Sequence, residues 1–132
     1  MEILGNKFIE FAAAFAIGIL FYRIFYFINP GYFKHPITRS LIKLRWHHIH
    51  WGAIFIMIAA ITLLTSGINS WSIIVLGIGM GLIFDELIII LIFETERDEE
   101  LRAYEKTLQP TLVMAAVIVA IVIIIATVYP AL

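Results

Sequence analysis

The chain has 132 residues, no cysteine and a formal net charge of −1, and 62% of its residues are hydrophobic while only 14% are charged. This composition is more apolar than that of a soluble domain, so it predicts an integral membrane protein with a single domain, residues 1–132. The lack of cysteine excludes disulfides, iron–sulfur clusters and thiolate metal sites, and the near-zero charge gives no support to a nucleic-acid partner.

Four stretches of the sequence are long and apolar enough to cross a bilayer, which takes roughly 20 residues each. We predict spans over residues 8–28, 46–65, 71–93 and 111–129. The expected fold class is therefore all-α, a bundle of four transmembrane helices in contact with the lipid of the cell membrane. The first apolar run is too long for the apolar part of a signal peptide, so we expect it to remain in the protein.

The first span carries a charged residue near each end. Glu10 lies close to its start and Arg23 close to its finish. Long charged side chains at such positions can extend to the membrane surface while their aliphatic parts stay in the lipid. We therefore predict that both side chains reach towards water.

The distribution of Lys and Arg outside the spans predicts the orientation. Four lie in residues 29–45, three in residues 94–109 and one on the opposite side: Lys34, Arg39, Lys43 and Arg45; Arg97, Arg102 and Lys106; and Lys7. Because cytoplasmic loops carry the excess of positive charge, we expect both connectors in the cytoplasm and both termini on the non-cytoplasmic side.

Two adjacent acids, Asp85 and Glu86, interrupt the third span well inside its apolar run. Charged groups at membrane depth are costly and usually face the interior of a bundle, where partners can compensate them. The nearest candidates are the histidines His47, His48 and His50 at the head of the second span. The second and third spans are antiparallel neighbours, so these two stretches are predicted to meet.

Helical periodicity predicts which of these side chains share a face. His47 and His50 are three residues apart and project from one side of the second span, whereas His48 points about 100° away and is expected at the membrane interface. In the third span, Gly77 and Gly81 form a row of small residues that continues to Asp85. Such rows allow close helix packing, so Asp85 should point at another helix.

Histidines next to carboxylates are a donor set for transition metals such as Fe, Zn or Mn. The sequence therefore predicts a divalent metal site formed by His47, His50, Asp85 and Glu86, in which Asp85 and Glu86 are also the candidate catalytic groups. His35 is the one histidine outside this group. Neither haem nor an iron–sulfur cluster is expected.

Three classes of function remain open at this point. The metal-holding protein could be an enzyme that acts on a lipid or quinone-like substrate through a carboxylate base. The same acids could form a proton or cation pathway, since buried carboxylates beside histidine are typical of proton relays. Alternatively, the chain could be an accessory subunit of a larger membrane complex or a homo-oligomer.

Overall fold

The computed structural model describes residues 2–29, 48–92 and 100–128, with side chains except at 2–5, 22, 26, 90–92 and 100–105. These ranges form four helices: α1 (Glu2–Ile28), α2 (His48–Ser66), α3 (Ser70–Ile92) and α4 (Glu100–Val128). Within the described ranges there is no strand. The predicted all-α fold is thus confirmed, and the ends predicted at residues 46–47, 93 and 129 lie outside the described residues.

Each of the four helices contains a segment long and apolar enough to cross a membrane. These segments are Asn6–Phe25, His48–Ser66, Ser70–Ile89 and Lys106–Val128. They overlap all four predicted spans. The four helices thus have the length and composition of a membrane protein.

α3 is the central helix of the arrangement. It packs against α1, α2 and α4, and α4 packs also against α1. Within the described ranges, α2 packs against α3 alone. The helices therefore form a group of three, α1, α3 and α4, with α2 attached to one side of it.

Glycine allows α1 and α3 to approach until their backbones touch. A Cβ atom added to Gly77 would lie 2.8 Å from the Cβ of Ala14 and 2.8 Å from the carbonyl oxygen of Phe11. One turn further along, a Cβ on Gly81 would overlap the carbonyl oxygen of Phe15. The predicted row of small residues is thus an interface, and the helix that it faces is α1.

α2 approaches α3 through a second pair of glycines on a different side of α3. A Cβ on Gly52 would lie 2.7 Å from the carbonyl oxygen of Gly79, and a Cβ on Gly79 would lie 2.9 Å from the carbonyl oxygen of Gly52. This crossing fixes the rotation of α2, because only the face that carries Gly52 can come so close.

The turn between α2 and α3 is short and well capped. Gly67 has φ +69°, the left-handed conformation that commonly ends a helix, and its N–H donates to the carbonyl oxygen of Leu63 at 3.1 Å. Asn69 then caps α3: its Oδ1 accepts the backbone N–H of Ser72 at 3.0 Å, and its own N–H donates to the Ser72 hydroxyl at 3.3 Å.

α4 continues through Pro110, although the sequence suggested that the last span starts there. The helix runs from Glu100 to Val128 with Pro110 in its interior. Proline lacks the N–H that would bond one turn back, but transmembrane helices tolerate this loss where neighbouring groups supply other partners. Thr107 and Thr111 consequently lie on one continuous helix face, where both are fully buried.

Replacement of Gly81 by alanine tests the α1–α3 contact. Alanine favours helix over glycine by up to about 1 kcal/mol, but here its methyl group would meet backbone atoms that cannot rotate away. We expect Gly81→Ala to lower the free energy of unfolding in detergent by about 1–3 kcal/mol. Ala13→Val, on an exposed position of α1, is the control and should be nearly neutral. A Gly81→Ala variant as stable as the wild type would contradict this packing.

Candidate functional site

Polar side chains from all four helices meet in one layer near one end of the molecule. Arg23 lies five residues before the end of α1, His48 begins α2, and Asp85 lies seven residues before the end of α3. Thr107 lies seven residues after the start of α4. At about 1.5 Å per residue, Arg23 and Asp85 are roughly 8–11 Å from the ends of their helices.

A buried ion pair joins α1 to α3 in this layer. The Nε of Arg23 donates to Oδ1 of Asp85 at 2.5 Å, and the side chains are 2% and 1% exposed. Charged hydrogen bonds of this kind are short and strong, but each charge also loses its hydration. Removal of one partner would therefore leave an uncompensated charge inside the protein.

The same guanidinium also reaches α4. Nη2 of Arg23 donates to the hydroxyl of Thr111 at 2.8 Å and to the hydroxyl of Thr107 at 3.3 Å. The two threonines are four residues apart, so their hydroxyls project from one face of α4 on consecutive turns. Arg23 thus links three helices through one side chain.

His48 approaches the two acids from the α2 side. Its Nε2 lies 2.7 Å from Oε2 of Glu86 and 3.4 Å from Oδ2 of Asp85. All three side chains are buried. Among the described residues, Oδ2 of Asp85 has no hydrogen-bond partner, so a proton on His48 is directed at Glu86 and is only electrostatically close to Asp85.

The structure brings Asp85 and Glu86 together with a histidine, as predicted, but this histidine is His48 and not His50. His48 was expected at the membrane interface and is buried against both acids, whereas His50 is exposed. His47 lies outside the described residues. The sequence signal for His48 was its position one turn before Gly52, because the glycine contact with Gly79 turns that face of α2 towards α3.

The prediction that Arg23 extends to the membrane surface is wrong. Arg23 follows Phe15 and Ile19 at intervals of four residues, and all three are buried in the same face of α1. It is also the sole Lys or Arg within the four predicted spans, which marks it as the natural partner of an intramembrane acid. Thr107 was missed because the last span was predicted to start after Pro110, and Thr111 was missed because its donor, Arg23, was expected to reach the membrane surface.

Glu10 keeps a partly exposed position at the opposite end of α1. Nζ of Lys7 lies 3.0 Å from Oε2 of Glu10, and the two side chains are 17% and 30% exposed. The Ser70 hydroxyl donates to Oε1 of Glu10 at 3.1 Å, which places the carboxylate at the N-terminus of α3. A negative charge at that position is favourable because the helix dipole is positive there.

Metal coordination by His47, His50, Asp85 and Glu86 stays a prediction. Across residues 2–29, 48–92 and 100–128, no group of three or more His, Asp or Glu side chains is arranged to hold a metal ion. Arg23 already occupies one oxygen of Asp85, and His48 is within hydrogen-bonding distance of Glu86. The acids therefore have protein partners in this arrangement.

No protein-family model matches this chain, and neither a curated protein nor a solved structure matches it. We call the side chains of Arg23, His48, Asp85 and Glu86 the ionic cluster.

Substitution of Arg23 tests the ion pair. Arg23→Met leaves the Asp85 carboxylate without its partner, and we expect the free energy of unfolding to fall by about 3–5 kcal/mol. The double variant Arg23→Met, Asp85→Asn should recover part of this loss, because the buried charge is removed together with its partner. The free energies of unfolding of the wild type, the two single variants Arg23→Met and Asp85→Asn, and the double variant would be measured by denaturant titration in detergent.

Lys7→Met is the matched control for this cycle. It also breaks an ion pair of α1, but the pair with Glu10 is partly exposed, and such pairs are typically worth less than about 1 kcal/mol. Equal losses for Arg23→Met and Lys7→Met, or strict additivity of the Arg23 and Asp85 variants, would contradict a buried ion pair.

Proposed function

We propose that the protein is a membrane protein that takes up and releases a single proton at the ionic cluster, as part of a proton pathway. The observation that carries this proposal is the charge balance. Arg23 is always positive, whereas Asp85 and Glu86 contribute two negative charges when ionised. With neutral His48 the cluster has a net charge of −1, and one proton shared by His48 and the acids makes it neutral.

The burial of these four side chains supports the proposal of a bound proton. All four side chains are buried, and an uncompensated charge at membrane depth is costly. The short contact between His48 and Glu86 is the place where the proton is best shared, because Asp85 is already compensated by Arg23. Asp85 is therefore the partner of Arg23, and His48 with Glu86 is the exchangeable pair.

The position of the cluster favours exchange of its proton with water at one membrane surface. His48 is the first residue of α2, so the site lies close to the end of the molecule that carries the two charged connectors. On the other side of the cluster, the buried side chains of Phe15 and Ile19 fill the core, and Phe84 of α3 packs against them. The bias of Lys and Arg favours a cytoplasmic location for the accessible end, with both termini outside.

A divalent metal is the second candidate occupant. His48 Nε2 and Asp85 Oδ2 are 3.4 Å apart, which is about the separation of two ligands that bind one ion at roughly 2.1 Å in tetrahedral geometry. The ion would take the place of the proton, and its two positive charges would bring the four side chains from −1 to +1, one charge more than the proton supplies. Catalysis through Asp85 or Glu86, and a role as subunit of a larger complex, stay predictions that the same purified protein can test.

The protonation state of His48 tests the proposal. In wild-type protein with labelled histidine, we expect the ¹⁵N NMR signals of His48 at neutral pH to be those of imidazolium. In Glu86→Gln the cluster is neutral without this proton, so His48 should become neutral imidazole. The signals of exposed His50 should be the same in both proteins. Neutral His48 in the wild type would contradict the proposal.

Metal analysis distinguishes the two occupants. We expect well-folded wild-type protein to contain no stoichiometric metal by mass spectrometry, before or after incubation with Fe, Zn or Mn. About one ion per chain, lost in both His48→Ala and Glu86→Ala but retained in His50→Ala, would show that the site binds a metal ion instead of a proton. Retention in His50→Ala would also remove His50 from the ligand set.

Thiol labelling tests the orientation, because the sequence contains no cysteine of its own. Ile68 lies exposed in the α2–α3 turn, and Lys106 lies exposed at the opposite end of the molecule. We expect Ile68→Cys to react with a membrane-impermeant reagent in intact cells, and Lys106→Cys to react only after permeabilisation. The reverse pattern would place the ionic cluster near the outer surface.

A further inference from the structure

We infer that the two buried threonines of α4, Thr107 and Thr111, are positioning residues of the proton site. They hold one nitrogen of Arg23 away from Asp85, and so leave one oxygen of Asp85 to stabilise the His48 cation. The second half of this inference rests on the proposed proton function. The first half, the diversion of the guanidinium, depends only on hydrogen bonds and burial.

Arg23 binds Asp85 through one hydrogen bond, although an arginine commonly binds both oxygens of a carboxylate. The guanidinium is a planar fork whose neighbouring N–H groups can donate side by side to the two oxygens. Here Nε of Arg23 donates to Oδ1 of Asp85 at 2.5 Å. Oδ2 of the same carboxylate has no hydrogen-bond partner among the described residues. The second bond of a bidentate pair is therefore missing.

The nitrogen that would complete such a pair is engaged by α4. Nη2 of Arg23 donates to the hydroxyl of Thr111 at 2.8 Å and to the hydroxyl of Thr107 at 3.3 Å. Nη2 carries two hydrogens, so the two hydroxyls supply an acceptor for each of them. Both threonines are fully buried, which keeps bulk water away from these bonds. The hydroxyls thus hold Nη2 on the α4 side of the guanidinium.

The unpaired oxygen of Asp85 faces a second source of positive charge. Asp85 is fully buried, and a buried carboxylate oxygen without a hydrogen bond has lost its hydration without replacement. Nε2 of His48 lies 3.4 Å from this oxygen, so a proton on the imidazole supplies a compensating charge. A bidentate Arg23 would neutralise the same oxygen and make the proton on His48 less favourable.

Threonine suits this role because a hydroxyl accepts a hydrogen bond without adding charge. In the described part of the chain, Asp85 meets Arg23 of α1 and His48 of α2, and Glu86 is its neighbour on α3. α4 contributes only hydroxyl groups to Arg23. An acid on α4 would also divert the guanidinium, but it would add a further negative charge to the site.

Thr111→Val tests the diversion, because valine keeps the branched shape of threonine but cannot accept a hydrogen bond. We expect Nη2 of Arg23 to turn to Oδ2 of Asp85. The coupling of Arg23→Met and Asp85→Asn, measured as non-additivity in the unfolding equilibrium constant in detergent, should then rise. We expect a rise of about tenfold, which is the value of a hydrogen bond between charged groups.

Two further variants of α4 are the controls. Thr111→Ser keeps the hydroxyl and should retain the wild-type coupling. Thr127→Val removes a hydroxyl that donates to the carbonyl oxygen of Ile124 at 2.8 Å, about 24 Å further along the helix, and should have no effect. An unchanged coupling in Thr111→Val, or an equal rise in either control, would overturn the inference.

The charge of His48 is a readout that a purely structural role of Thr111 would not change. In Thr111→Val, Oδ2 of Asp85 is shared with Arg23. The ratio of imidazolium to neutral imidazole at His48, followed by ¹⁵N NMR over a series of pH values, should therefore fall by roughly threefold to tenfold. Thr111→Ser should restore the wild-type ratio. A higher coupling with an unchanged ratio would overturn the positioning role.

The two readouts separate this inference from the proposed function. Neutral His48 over the whole pH series in the wild type would contradict the proton function, and with it the role of Oδ2 of Asp85, even if the coupling rose. Imidazolium in the wild type together with an unchanged coupling in Thr111→Val would overturn this inference alone. A higher coupling and a lower ratio, both reversed in Thr111→Ser, would support it.

Discussion

The arrangement of this protein depends on the presence of two adjacent carboxylates inside the membrane. Asp85 and Glu86 are consecutive residues of one helix, so their side chains point about 100° apart and their closest ionic contacts are made with different helices. Asp85 takes Arg23 from α1, and Glu86 takes His48 from α2. α3 must therefore lie between α1 and α2, which makes it the central helix of the molecule.

The glycines of α3 follow the same division. Gly77 and Gly81 lie on the side of Asp85 and let α1 approach, whereas Gly79 lies on the side of Glu86 and lets α2 approach. Close backbones bring the charged groups within bonding distance, and the charged groups in turn set the rotation of each helix. Packing and electrostatics thus select the same arrangement, which is the consistency expected of a sequence with one stable fold.

The two acids differ in what they can do. Asp85 is held by a guanidinium that α4 also holds through Thr107 and Thr111, so three helices would have to rearrange before it could change partners. Glu86 meets a histidine on α2, which among the described helices packs against α3 alone. A group that exchanges protons must be able to reach water, and Glu86 is the better placed of the two for this reason.

The sequence alone determined the fold class, the four helices and the need of Asp85 and Glu86 for partners inside the bundle, because apolar length and the cost of intramembrane charge are properties of the chain itself. It did not determine the partners. His48 in place of His50 and burial of Arg23 depend on the rotation of α2 and α1, which the contacts at Gly52 and Gly81 decide. If α2 turned a face one or two residues away towards α3, a different histidine would meet the acids. The face that α2 presents is decided by the packing of the helices.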